Sequence, residues 1–376
     1  MWRIFWREVN MIKSSYWDLS LVTLAPLLVI VFISSMLMQG SPRQLPIVVV
    51  DQDHSNYSRQ IIRNLQATPT LSIYSFEPSM PLAETQLKRL KAWGVVHIPP
   101  QAELNLSRGS SPQIATYYNE AFFSIASTVS SGMSSAINAA TATQREELIR
   151  RLGIPPIEFN MPVIQVTALY NPQLSYELFL GPFAITAILH LLVACCVAVS
   201  VGRELSAASM SAWLGNQSLV LGLFAKLAPY ILIFSLWCFI WTAWMVGIRG
   251  WSIQGSIVLL ITAQVLLMTA YALFAAMMVL ALKDVNTGLS MVAMYAGSSL
   301  SFAGVTLPTI GAPLFTRVWS NSLPYTAYSK IQTQQWVVGS PLHTSLPSFL
   351  ILIGFVLGFS LLTLLLLQRF KKLNPA

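Results

Sequence analysis

Six stretches of this chain carry no Asp, Glu, Lys or Arg and are long enough to cross a bilayer: 19–42, 178–202, 227–248, 250–282, 285–316 and 331–368. A spanning helix needs roughly 20 mostly apolar residues, and a Lys, Arg or Asp at its centre costs about 3 kcal/mol. Removing Pro, Gly and polar flanks leaves spans near 19–38, 177–200, 223–246, 256–281, 287–305 and 347–367. The composition agrees: 10% of residues are charged and 55% hydrophobic, where a soluble domain has about 25% charged residues. The expected fold is an α-helical membrane protein of six transmembrane helices, with both termini on one side.

The formal charge of +8 does not indicate nucleic-acid binding, because of where it lies. Residues 39–173 hold ten basic and nine acidic side chains and are nearly neutral. The excess flanks the spans. Arg3, Arg7, Lys13, Arg203, Lys283, Arg369, Lys371 and Lys372 fall on one side of a six-span layout, while the short loops opposite offer Arg249, Arg317 and Lys330. Lys and Arg are retained in the cytoplasm, so both termini are expected there and residues 39–173 outside. Cys195, Cys196 and Cys238 all fall in expected spans, so the external segment must fold without disulfides. The first span lacks a small-x-small cleavage site, which favours an anchor over a removed signal.

Residues 1–18 read as an interfacial helix on the cytoplasmic side. Trp2, Phe5, Trp6, Val9, Ile12 and Tyr16 share one face, and Arg3, Arg7 and Lys13 lie largely elsewhere. After the span at 19–38, residues 39–173 alternate strand and helix signals, as an α/β domain does. "PIVVV" reads as a buried strand, 51–55 as a turn, and Ser55 as the N-cap of a helix burying Ile61, Ile62 and Leu65. Further strands are expected at 70–76, 93–98, 112–118 and 161–169, with helices near 81–91 and 121–151. Residues 174–370 form a five-helix transmembrane domain with a cytoplasmic segment at 202–217, and 371–376 is a cytoplasmic tail. The 306–346 connection is apolar, Pro-rich and broken. It fits re-entrant or interfacial short helices on the external side, because irregular backbone at membrane depth must be buried in protein or line a cavity.

Few residues carry the signs of chemistry. Asp51 and Asp53 of "DQD" fit either a divalent cation or a turn in which carboxylates cap backbone N–H groups. His190 sits in mid-span, where an ionisable residue marks a functional site or bonds a neighbouring helix. Gln264 and Tyr271 share a helical face and either line a path or bond a neighbour. Glu177 and Lys226 lie near span ends, where snorkelling accounts for them. No G-x-x-x-x-G-K-[ST], G-x-S-x-G or H-E-x-x-H occurs, and nothing assembles a nucleophile, a base and an oxyanion donor. The chain is therefore not expected to be an enzyme or to bind a metal or nucleotide itself.

Three places resemble one family. Ile47, Val49, Val50, Asp51, Asp53, Ser55, Ser58 and Arg59 follow the first span. "GRELS", with Arg203 and Glu204, follows the second. "SFAGVTLP" and "LPYTAYSKIQTQQWVVGSPL" follow the fifth, with Gly304, Pro308, Pro324 and Tyr325 at the matching positions. The layout resembles the permease subunits of the second class of ABC exporters, in particular the multidrug-export type with a large external domain. The family commonly continues after the Arg-Glu pair with a Gly-Thr-x-Glu run and a later Pro. This chain reads "SAASMSAWLGN" there.

The resemblance implies a bacterial inner-membrane permease that pairs with a second permease chain, identical or homologous. Cytoplasmic ABC ATPases would supply ATP and Mg, and a periplasmic adaptor is a further possible partner. It implies ATPase coupling through Arg203, Glu204, Leu205, Met210 and Trp213, a translocation path near His190, Gln264, Tyr271 and Tyr295, and an external gate at Gly304, Pro308, Pro324 and Tyr325. The nearly charge-free spans suit amphipathic or hydrophobic cargo, drug-like compounds or lipids. Two other readings use the same residues: a membrane receptor or scaffold binding a partner through its external domain, and a membrane enzyme using Asp51 and Asp53.

Overall fold

A computed structural model describes residues 2–38, 40, 42–108, 110, 112–120, 123–151, 170–171, 175–206, 213 and 218–373. The chain divides into two compact units, one of Met1–Gly40 with Ala168–Ala376 and one of Ser41–Thr167.

The first unit is helical. Trp2–Ser14 buries Ile4, Glu8 and Ile12 along one stripe, while Trp2 and Trp6 are exposed. The protein-facing side of this helix is therefore not the aromatic face expected to lie in the membrane. The helix also stops short of 18. Ser15 leaves the helical conformation, and its hydroxyl accepts from Asp18 N–H at 3.3 Å, starting Tyr16–Val22. Tyr16 thus belongs to the first span, not to the interfacial helix. That span continues as Leu24–Leu37 after a break at Thr23. Pro26 accounts for the break: it has no N–H for the carbonyl of Val22. The indole of Trp237 donates to that oxygen instead, at 2.9 Å.

Among the described residues, five helices are long and apolar enough to cross a membrane: Tyr16–Leu37, Tyr176–Ser206, Leu219–Gly247, Ile257–Leu282 and Leu342–Lys371. The stretch expected as one further span near 287–305 is instead two pieces, Val285–Gly297 and Ser299–Phe302. Thirteen residues rise about 20 Å, less than the ~30 Å of a hydrocarbon core. The break falls at Gly297–Ser298–Ser299, where the Ser298 and Ser299 hydroxyls both donate to the carbonyl of Tyr295. Helices 176–206 and 257–282 form the interior: 72% and 67% of an apolar 18-residue stretch of each is buried, against 11% and 17% in 16–37 and 342–371. The 306–346 connection folds into Leu314–Asn321, Pro324–Gln332 and a π-helical turn, Thr333–Val338.

The second unit is a four-stranded sheet with helices packed against it. Strands β1 (Leu45–Asp51), β2 (Leu71–Phe76), β3 (Gly94–Ile98) and β4 (Ala115–Tyr118) lie in the order β2-β1-β3-β4. β1 runs parallel to β2 and β3, and β4 is antiparallel to β3. The unbroken apolar run of β1 reflects burial on both faces. Ile47 and Val49 pack with Tyr57, Ile61, Val129 and Met133, while Val48 and Val50 pack with Ala83 and Ala92. The helices are Asn56–Ala67, Met80–Lys88, a short Ala102–Ser107 that local pattern did not announce, and Phe123–Arg151. The strand expected at 161–169 lies outside the described residues.

Candidate functional site

A buried ionic cluster joins three segments of the helical unit. Its centre is Lys226, 1% exposed, on helix 219–247. Its ammonium donates to Glu8 Oε2 at 2.8 Å and to Glu204 Oε1 at 3.1 Å. Glu8, 2% exposed, also accepts from the hydroxyls of Ser200 and Tyr230, the latter at 3.0 Å. Glu204 accepts in addition from the guanidinium of Arg7. A second pair, Arg203 Nη1 with Asp18 Oδ2 at 2.6 Å, ties the same helix end to the start of the first span. The indole of Trp213 lies under the Lys226 ammonium, 5.3 Å from the ring centroid, and its N–H donates to the carbonyl of Gly222 at 3.1 Å.

Each position has a local cause. Glu8 lies on the buried stripe between Ile4 and Ile12, so helix periodicity alone turns it inward. Glu204 falls in the last turn of the helix that carries Ser200. Three cations, Arg7, Arg203 and Lys226, meet three anions, Glu8, Asp18 and Glu204. Buried charges persist only when paired and hydrogen-bonded. The reading of Lys226 as a snorkelling residue is therefore corrected, because its head is enclosed and bonded.

Glu177 is corrected in the same way. It is 2% exposed and holds Arg249 through two bonds, Nε to Oε1 at 2.7 Å and Nη2 to Oε2 at 2.9 Å. Trp251 donates to the same carboxylate at 2.9 Å, and Arg249 also donates to the carbonyl of Met38 at 3.2 Å. The Glu177 carboxylate pushes the Arg249 guanidinium above its ordinary pKa. A second ionic clamp thus joins the far ends of the first span, helix 176–206 and helix 219–247.

Of the residues expected at the ATPase contact, Arg203 and Glu204 are in the cluster, Leu205 packs against the core and Trp213 covers Lys226. Met210 lies outside the described residues. His190, Tyr271 and Tyr295, expected along the path, gather with Tyr325, expected at the gate. The His190 ring is 4.0 Å from that of Tyr271 and 5.0 Å from that of Tyr325, and Tyr271 is 5.9 Å from Tyr295. The His190 nitrogens face the carbonyls of Thr186 at 3.0 Å and Ala296 at 3.2 Å. Tyr325 donates to the carbonyl of Phe183 at 2.7 Å, and Tyr295 to that of Ser322. Gln264 bonds Thr242 at 3.2 Å on the adjacent helix. Pro324 opens the helix that carries Tyr325, Gly304 turns the chain at φ +77°, and Pro308 is exposed in the loop that follows.

In the second unit, Asp51 and Asp53 serve as caps. Asp51 Oδ1 accepts from the N–H of Asp53 and of His54, both at 3.0 Å, and Oδ2 from the Ser58 hydroxyl at 2.9 Å. Asp53 accepts from the N–H of Ala102 at 2.9 Å and of Glu103 at 3.1 Å, so it caps a helix 49 residues away. Among the described residues no three His, Cys, Asp or Glu side chains converge as a metal site requires.

Glu8, Asp18, Ser200 and Tyr230 were not singled out by the sequence, and Lys226 was read there only as a snorkelling residue. The one available signal was an acid on an apolar stripe, Glu8, together with a cation a few residues inside an apolar helix, Lys226.

No curated protein and no solved structure gives a significant match to the chain. The family model described as ABC-2 family transporter protein matches residues 16–365, which takes in nearly the whole chain and runs through both compact units. With five helices suited to crossing a membrane, the chain belongs to the ABC-2 transporter family, as a membrane permease subunit.

Proposed function

We propose that this permease works in an ATP-driven exporter that moves amphipathic or hydrophobic small molecules out across a bacterial inner membrane. The cluster around Lys226 carries the proposal. The Arg203–Glu204 pair, where the family resemblance locates the ATPase contact, is bonded to the N-terminal helix through Arg7, to the first span through Asp18 and to helix 219–247 through Lys226. A push on the segment that follows Glu204 therefore reaches three elements at once. ATP binding to a partner ATPase shifts the spans by its differential affinity for two arrangements of these ions.

In this reading both termini face the cytoplasm, consistent with the basic residues that flank the spans. The 285–302 pieces complete a sixth crossing, 306–346 is an external re-entrant segment, and the 39–173 domain is external. There the domain meets a periplasmic adaptor. A second permease chain faces the first. The aromatic cluster of His190, Tyr271, Tyr295 and Tyr325 is the closed path, and its charge-poor surroundings suit amphipathic cargo. The membrane subunit holds no nucleotide; ATP and Mg belong to the partner.

The deciding experiment is purification of the tagged full chain in mild detergent, followed by vesicle transport assays with any copurifying P-loop ATPase. A near-stoichiometric ATPase and ATP-dependent export are expected, with both reduced by charge reversal at Arg203 and Glu204. If no ATPase associates and none restores nucleotide hydrolysis, the chain is a receptor or scaffold.

A further inference from the structure

Helices 257–282 and 342–373 pack along each other. At the end nearest Lys283 and Arg369 they leave an open groove of about 630 Å³. Met277, Met278 and Ala281 form one wall, and Leu362, Leu365 and Leu366 the other. Arg369 and Gln368 close its end. Leu362, Leu365, Leu366 and Arg369 stand at helical spacings of three and four, so the guanidinium continues the line of leucines. Leu362 and Leu365 remain 48% and 46% exposed, so the apolar wall opens outward.

The one charged side chain that lines the groove is the cation Arg369. No acidic side chain lines the groove. Lys283, directly after helix 257–282, lies 5.5 Å from the ring of Phe370, the neighbour of Arg369. The adjacent carboxylate, Asp284, accepts from the N–H of Thr287 at 2.7 Å and is engaged as a helix cap.

An apolar channel ending in a guanidinium matches an anionic amphiphile. Two walls with flexible methionines accommodate an acyl chain, and Arg presents a planar fork that suits phosphate oxygens. Basic pockets between spanning helices recognise anionic headgroups in this way. We propose that the groove binds one anionic phospholipid, its phosphate at Arg369 and an acyl chain between the methionine and leucine walls. The groove shares no lining residue with the ion cluster or with His190, Tyr271, Tyr295 and Tyr325.

The test uses the full-length chain in nanodiscs of phosphatidylcholine with a minor fraction of phosphatidylglycerol. Lipids retained after transfer to detergent are counted by native mass spectrometry. Arg369→Gln is expected to lower retention of phosphatidylglycerol about fivefold and leave phosphatidylcholine unchanged. Leu365→Trp fills the groove from its exposed side and is expected to lower retention of both lipids. Unchanged phosphatidylglycerol with Arg369→Gln, or an equal loss of both lipids, overturns charge recognition. No effect of Leu365→Trp overturns the location. Complete displacement of phosphatidylglycerol by inorganic phosphate reduces the site to an anion site and overturns acyl recognition. A photocrosslinker at position 362 that captures a second copy of the chain in place of lipid also refutes the proposal.

Discussion

The ammonium of Lys226 lies 2.8 Å from a carboxylate oxygen of Glu8, 218 residues earlier in the chain, and both side chains are almost fully enclosed. The pair ties an amphipathic N-terminal helix to the middle of the helical unit by charge, where apolar packing would have been the ordinary solution. An ion pair holds a defined geometry and can exchange partners, and Glu204 already offers Lys226 a second one, 3.1 Å away. That makes it suited to transmit movement.

Lys226→Met leaves Glu8 buried without its cation and takes one of the cations from Glu204. Removing one partner of a buried pair is expected to destabilise by about 3–5 kcal/mol. Thermal unfolding of the purified chain in detergent measures the loss. Lys226→Met combined with Glu8→Gln should cost less than the two single changes added, since the two groups share one interaction. Strict additivity would remove the pair from any role in coupling.

The Glu177–Arg249 clamp depends on shape as well as charge. Arg249 makes two bonds to the carboxylate and a further one to the carbonyl of Met38. Lys keeps the charge but cannot reproduce the fork. Arg249→Lys is therefore expected to recover less than half of the stability lost in Arg249→Gln, a loss of about 1.5–3 kcal/mol. Full recovery by Lys would show that charge alone matters.

Gly94 is where helix 123–151 comes down onto β3. A Cβ there would stand 2.8 Å from Val129 Cγ1 and 3.1 Å from Met133 Cε. Gly94→Ala is expected to destabilise the second unit by about 1–3 kcal/mol, read as faster hydrogen exchange in 94–98. Val129→Ala in the same chain should restore part of the protection by making room. A silent Gly94→Ala would mean that the helix yields freely.

Asp284 caps Val285–Gly297, and its hydrogen bonds to Thr287 hold its pKa below the usual carboxylate value. A group whose folded pKa is depressed contributes fully above its unfolded pKa, and that contribution is lost as pH falls through the folded value. Exchange protection at 287–288 should therefore be flat near neutrality and fall in acid, as pH drops through and below the usual carboxylate range. Asp284→Asn retains an uncharged cap and should flatten the acid limb. An identical limb in the variant would assign the transition to another group.

Much of the local structure was legible because short-range chemistry decides it. Ser55 starts its helix by accepting from Ser58 N–H at 3.0 Å, as its position after a turn implied. The continuous run of β1 announced a strand covered on both faces. The 285–302 stretch read as one unbroken helix because it is charge-free, and hydropathy does not register Ser298 and Ser299, whose hydroxyls take the carbonyl of Tyr295. Asp53 could be recognised as a capping residue, but not as the cap of a helix 49 positions away.

The sequence by itself determined which segments can enter a bilayer, which carry strands, and where helices start, because each depends on neighbours a few positions apart. Only the tertiary structure decided which charges are enclosed and with whom they pair. Glu8 and Lys226 look like ordinary surface charges one at a time. Enclosing either alone would be prohibitive, so their positions become possible only when packing brings opposite charges from distant segments within hydrogen-bond reach.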